Sequence, residues 1–123
     1  MMIENVEIVS DVLNLDITLN SLLLDPVSSF IGRVSGDSMT EVGIFDGDLL
    51  VIDQKFEPQQ GDIIIANYNG QFVCKIADLK NNLLLSANPN YPPVRVTEQD
   101  QYQYRGVVTS TIHLFRPLSK AAM

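Results

Sequence analysis

The chain has 123 residues with 46% hydrophobic content, enough for one folded domain with a core of its own. Fifteen acidic against eight basic residues leave a net charge of -7, which argues against a broad phosphate-binding surface. A single cysteine, Cys74, excludes an internal disulfide and a cysteine metal cluster, and fits a reducing, cytoplasmic setting.

The opening "MMIENVEIVSD" lacks the basic and apolar regions of a signal peptide, and no apolar run reaches the length of a membrane span. Residues 1–29 read as an N-terminal arm with a short helix. The arm has no clear period. The helix falls in "TLNSLLLDP", with Thr18 as N-cap and Pro26 turning Asp25 away from helical geometry.

From Phe30 to the end, residues 30–123 read as one β domain. "FIGRV" is a short strand. "DLLVID" (48–53) is a compact apolar strand entered through the turn "FDGD". "GDIIIANYNGQFVCKIADL" reads as a hairpin turning at Asn69-Gly70, a pair that accepts positive φ at both positions. "NNLLLSA" is a further strand, and "NPNYPPV" an irregular loop too rich in proline for a central strand. "YQYRGVVTSTIHLF" closes the domain as a longer strand, bent at Gly106.

The chemistry centres on "VSGDSMTEVGIFDGDLLVID", residues 34–53. A serine such as Ser38 is a weak nucleophile without a base. The one histidine, His113, sits in a strand pattern and reads as structural or surface rather than catalytic. A lysine can replace it only by losing its charge. Lowering a lysine pKa from about 10.4 to about 7 takes roughly 4–5 kcal/mol of desolvation. That requires an apolar strand, and "QFVCKIADL" supplies one around Lys75. Alternation sets Val73 and Lys75 on one face and Phe72, Cys74 and Ile76 on the other. By pattern alone, Ser38 is a turn hydroxyl and Lys75 a solvent-facing strand residue.

Four elements in order alter that reading: Gly36-Asp37-Ser38-Met39, Asp46-Gly47-Asp48, Gly61-Asp62 and Lys75. This ordered set resembles the LexA/UmuD family of serine–lysine peptidases, with a looser likeness over residues 19–115. Within the family the chain most resembles the UmuD branch in its short, processed form. The resemblance implies a mostly β domain of several coiled, mainly antiparallel sheets, similar to the LexA C-terminal and signal-peptidase domains. It implies Ser38 as nucleophile, Lys75 as general base, and the backbone N–H groups of Asp37 and Ser38 as an oxyanion hole, with no cofactor and no metal. Met39 fits a packing role, Cys74 a core position facing away from Lys75, and Asp46, Asp48 and Asp62 turn and strand-start roles.

The family cuts itself at an Ala-Gly or Cys-Gly bond, and neither pair occurs here. Aligned on the Ser-Met motif, the chain starts about where the processed form starts. A naturally short form and a trimmed version of a longer protein both stay open. The expected role is a homodimeric accessory subunit of a UmuC-like Y-family DNA polymerase in the SOS damage response, in contact with a RecA filament. Direct nucleic-acid binding and membrane attachment are not expected. Two alternatives stand beside it. One is a peptidase acting in trans on UmuD- or LexA-like proteins. The other is the C-terminal part of a phage-type repressor, although nothing basic and helical precedes residue 30.

Overall fold

The structure is a computed structural model that describes residues 2–3, 5–7 and 17–118. Nine strands, one α-helix and one 3-10 turn are seen among these residues. β1 (Met2–Ile3) and β2 (Val6–Glu7) pair as a small antiparallel ribbon around Asn5, so part of the expected arm is a hairpin. The remainder of that arm, residues 8–16, lies outside the described residues. α1 (Leu19–Leu23) forms as expected. Thr18 caps it in a reciprocal arrangement with Ser21, whose backbone N–H reaches the Thr18 hydroxyl at 3.1 Å.

The main body is one seven-stranded sheet, ordered β3 (Ser29–Arg33), β4 (Leu49–Asp53), β9 (Tyr102–Ile112), β5 (Ile63–Tyr68), β6 (Gln71–Asp78), β7 (Leu83–Leu85) and β8 (Val94–Arg95). Every neighbouring pair is antiparallel. The mostly β, antiparallel expectation therefore holds, and the strands join into one continuous sheet. The Asn69-Gly70 turn forms the β5–β6 hairpin, with φ of 51° and 86° at its two residues. The "NPNYPPV" loop ends in β8, a two-residue edge strand whose prolines precede it, where no ladder bond is lost.

Two register shifts coil the sheet, and both extra residues lie on β9. Ile65 faces Gly106 while Ala66 faces Tyr104, and Val51 faces Ser110 while Ile52 faces Val108. The bend expected at Gly106 is thus a bulge beside it. A Cβ at Gly106 would lie 2.7 Å from Ile52 Cγ2 and 3.0 Å from the Asp53 carbonyl oxygen, so only glycine fits the coiled crossing.

Coiling gives the central strand β5 an apolar layer on each face. One cluster joins Ile65 with Met39, Ile44, Leu50, Ile52 and Ala87. The other joins Ile64 and Ala66 with Ala77, Leu84 and Val107. This is why "IIIA" reads as an unbroken apolar run rather than an alternation. The first cluster underlies the chemistry, because Met39 plugs into it.

Candidate active site

Ser38 sits on the turn between β3 and a 3-10 turn at Thr40–Val42. Both sides of this turn are fastened. Gly36 adopts φ of 98°, a conformation that disfavours a side chain, and its N–H donates to Asp46 Oδ1 at 2.8 Å. Next to Ser38, Met39 is only 2% exposed in the core cluster. A half-buried hydroxyl is thereby held at the rim of a rigid floor.

Lys75 pairs with Ile64 in the β5–β6 ladder. Its Nζ reaches Ser38 Oγ at 2.9 Å and Ser86 Oγ at 2.8 Å. The expected pair therefore meets across 37 residues of sequence. The solvent-facing alternative for Lys75 does not describe its position. Partial burial holds its ammonium below the ordinary lysine pKa, opposed in smaller measure by Cys74. Among the described residues the ion pairs involve Lys55 and His113, so no carboxylate is seen to fix the charge of Lys75. A lysine without a counter-charge, in hydrogen-bond reach of a serine, can work as a base once it loses its proton. Cys74 faces the core side, as expected. Burial pushes its thiol pKa up to about 11, which keeps it protonated and unreactive at neutral pH.

The loop after β7 contributes contacts that sequence reasoning missed. Carrying the β6–β7 register one step past Ile76–Leu85 sets Ser86 opposite Lys75. Ala87 N–H donates to the Ser38 carbonyl at 2.8 Å, and Glu41 N–H donates back to the Ala87 carbonyl at 2.8 Å. Asn88 Nδ2 donates to the Asp37 carbonyl at 2.8 Å, and the Tyr91 hydroxyl donates to the Asp37 carboxylate. The Tyr91 ring lies 5.4 Å from Lys75 Nζ. In the sequence, Ser86 and Ala87 end the expected strand "NNLLLSA", and Asn88 and Tyr91 fall in "NPNYPPV", which pattern reading assigns to an irregular loop.

A cleft of about 500 Å³ opens beside the dyad, lined by Ser38, Met39 and Lys75 together with residues 30–33 of β3 and 72–74 of β6. Two backbone edges flank it. Among the described residues, β3 pairs only with β4, and β7 covers β6 only from Ile76 onward. An extended peptide can hydrogen-bond to such edges and lay small or apolar side chains into the cleft. Among the described residues no acceptor takes the N–H of Asp37 or of Ser38, the groups expected to form an oxyanion hole.

The acidic residues of the turns take structural positions. Asp48 is 1% exposed and accepts from Phe45 N–H, Thr111 Oγ1 and the His113 ring. Burial pushes its carboxyl pKa up, but these bonds outweigh burial and hold it below the usual range. Asp62 closes its own turn by accepting from Gln59 N–H at 2.8 Å. His113 is tied to Asp48 and has no bond to the dyad. Among the described residues no group of three or more histidine, cysteine or acidic side chains could hold a metal ion, and no helix is long and apolar enough to cross a membrane.

A family model described as Peptidase S24-like matches residues 3–109. SamA of Salmonella typhimurium is 44% identical over 92 residues, 74% of this chain and 64% of SamA. ImpA of Escherichia coli is 38% identical over 104 residues, 84% of this chain and 72% of ImpA. The LexA repressor of Xylella fastidiosa is 28% identical over 93 residues, 74% of this chain and 44% of the repressor. The chain thus spans a little under two thirds of SamA and less than half of the repressor.

Proposed function

The chain belongs to the Peptidase S24-like family of LexA/UmuD-type proteins, and from that premise we propose that it is a UmuD′-like accessory subunit with an assembled Ser38–Lys75 peptidase site. In this reading a cytoplasmic homodimer binds a UmuC-like Y-family DNA polymerase in the SOS response. It meets a RecA filament through protein contacts rather than DNA contacts. The similarity to SamA and ImpA across most of the chain carries the reading. The net charge of -7 supports a protein partner over a nucleic-acid one.

Lesion bypass tests it. The purified chain, added to a UmuC-like polymerase on a damaged template, should raise bypass. A Ser38→Ala, Lys75→Ala protein that stays folded should do the same. Loss of bypass in that double variant would refute the accessory role as stated.

The contact between Lys75 Nζ and Ser38 Oγ at 2.9 Å favours a second reading, a peptidase working in trans. Neutral Lys75 takes the Ser38 proton, and Ser38 Oγ attacks the scissile carbonyl. The N–H groups of Asp37 and Ser38 hold the oxyanion. Protonated Lys75 gives its proton to the leaving amine. A water, deprotonated by the same lysine, then releases the acyl group. The substrate would be an extended strand of a UmuD- or LexA-like protein, with a small residue before the cut bond. Incubation at alkaline pH with such a protein should yield two fragments, and a Ser38→Ala chain should yield none.

A further inference from the structure

We propose that Asn88, assisted by Tyr91, is the positioning residue that sets the direction of the Ser38 N–H as an oxyanion donor. The inference deepens the peptidase reading above and rests on it. Its basis is the geometry of one peptide unit. The Asp37 carbonyl and the Ser38 N–H belong to the same peptide, which is trans, so the two bonds point in opposite directions in one plane. Whatever holds the carbonyl aims the N–H.

Asn88 Nδ2 holds that carbonyl at 2.8 Å. The amide has no choice of orientation, because its Oδ1 accepts from Asn90 N–H at 3.0 Å, leaving only the Nδ2 end to face Asp37. The Tyr91 hydroxyl donates to the Asp37 carboxylate and limits rotation of the same residue. The next peptide is also fixed, since Ala87 N–H holds the Ser38 carbonyl at 2.8 Å. The loop carrying these groups contains Pro89, Pro92 and Pro93, which restrict its backbone. The Ser38 N–H emerges from this clamp without an acceptor among the described residues. A donor that is fixed in advance and left free is what a developing oxyanion requires.

The test uses a fluorophosphonate on the full chain. Ser38 Oγ bonds to phosphorus, fluoride leaves, and the serine proton passes to Lys75; the phosphoryl oxygen occupies the oxyanion position. Asn88→Ser keeps an oxygen able to accept from Asn90 N–H but cannot reach the Asp37 carbonyl as a donor. Tyr91→Phe keeps the ring beside Lys75 and loses the hydroxyl. Each should lower the maximal labelling rate about 10- to 100-fold. The pH midpoint, which belongs to Lys75, should not move. An unchanged rate, or a rate loss accompanied by a shifted midpoint, would overturn the proposal. If the native chain labels no faster than Ser38→Ala, the peptidase reading fails on its own. Relaxation of the Ser38 amide ¹⁵N then decides the clamp: increased motion in Asn88→Ser supports it, and unchanged motion refutes it.

Discussion

Ser86 Oγ lies 2.8 Å from Lys75 Nζ, one register step beyond the last β6–β7 pair. The lysine is therefore held between two hydroxyls, Ser38 on the turn and Ser86 on the loop after β7. A neutral amine has one lone pair. An N–H directed at Ser86 leaves that lone pair free to face Ser38.

Ser86→Ala should therefore slow Ser38 acylation about tenfold, the equivalent of one hydrogen bond. Ser86→Thr should restore most of the rate, since it keeps the hydroxyl. Fluorophosphonate labelling across pH, with melting curves to show that each variant is folded, measures this. Equal rates for Ser86→Ala and the native chain would remove Ser86 from the site.

The acylation rate should rise with pH and level off at a midpoint below the free lysine value of about 10.4, because burial disfavours the ammonium. The same burial has a stability consequence. Between the folded and unfolded pKa values of Lys75 the unfolded chain binds more protons, so stability rises with pH across that window. Lys75→Met removes the buried ammonium. It should raise the melting temperature at neutral pH by about a degree or two. The gain should fade as pH climbs from the folded lysine value toward the unfolded one and be gone above it. A lower melting temperature for Lys75→Met at pH 7 would mean that the hydroxyl bonds outweigh desolvation.

The dyad was legible because four motifs occur in a fixed order, although neither Ser38 nor Lys75 stood out from its local pattern. The Asn69-Gly70 hairpin and the Thr18 cap were legible because each depends on a few adjacent residues. Sheet order and the contacts of Ser86, Asn88 and Tyr91 were not. They arise where β7 meets β6 and the following loop folds back over residues 37–41, pairings 11 to 54 residues apart in sequence. Local pattern carries no information about such closures. Asp48 was legible as a turn residue, but its burial against Thr111 and His113 was not, because those partners sit at the end of β9 and just past it, 63 and 65 residues away in sequence.

Asp48 should be a principal acid-sensitive carboxylate of the fold. Its folded pKa lies below the unfolded value, so its contribution is present above about pH 4 and is lost as pH falls through the folded value. Asp48→Asn keeps the shape but weakens the bonds to Phe45 N–H and His113. It should cost about 2–3 kcal/mol at pH 7. The gap from the native chain should narrow steadily below pH 4. Denaturant melts at pH 7 and pH 3 test both statements. A gap of constant size would show that Asp48 is not held ionised by the fold.

Gly106 and Gly61 are confined to glycine by different physics. A methyl group at Gly106 would drive into Ile52 and the Asp53 backbone at 2.7–3.0 Å, where β9 crosses β4. Ile52 is buried in the cluster that seats Met39, so the clash is transmitted toward the floor of the Ser38 turn. Gly106→Ala should cost about 2–3 kcal/mol through overpacking and should also slow acylation. Gly61 has a φ of 86°, but a methyl there would project into open space. Gly61→Ala should cost only about 1 kcal/mol of backbone strain and leave the acylation rate alone. Urea midpoints and labelling rates for the two variants distinguish a packing constraint coupled to the site from a local turn constraint. Equal effects of both variants on labelling would break the proposed link from Gly106 through Ile52 to the nucleophile.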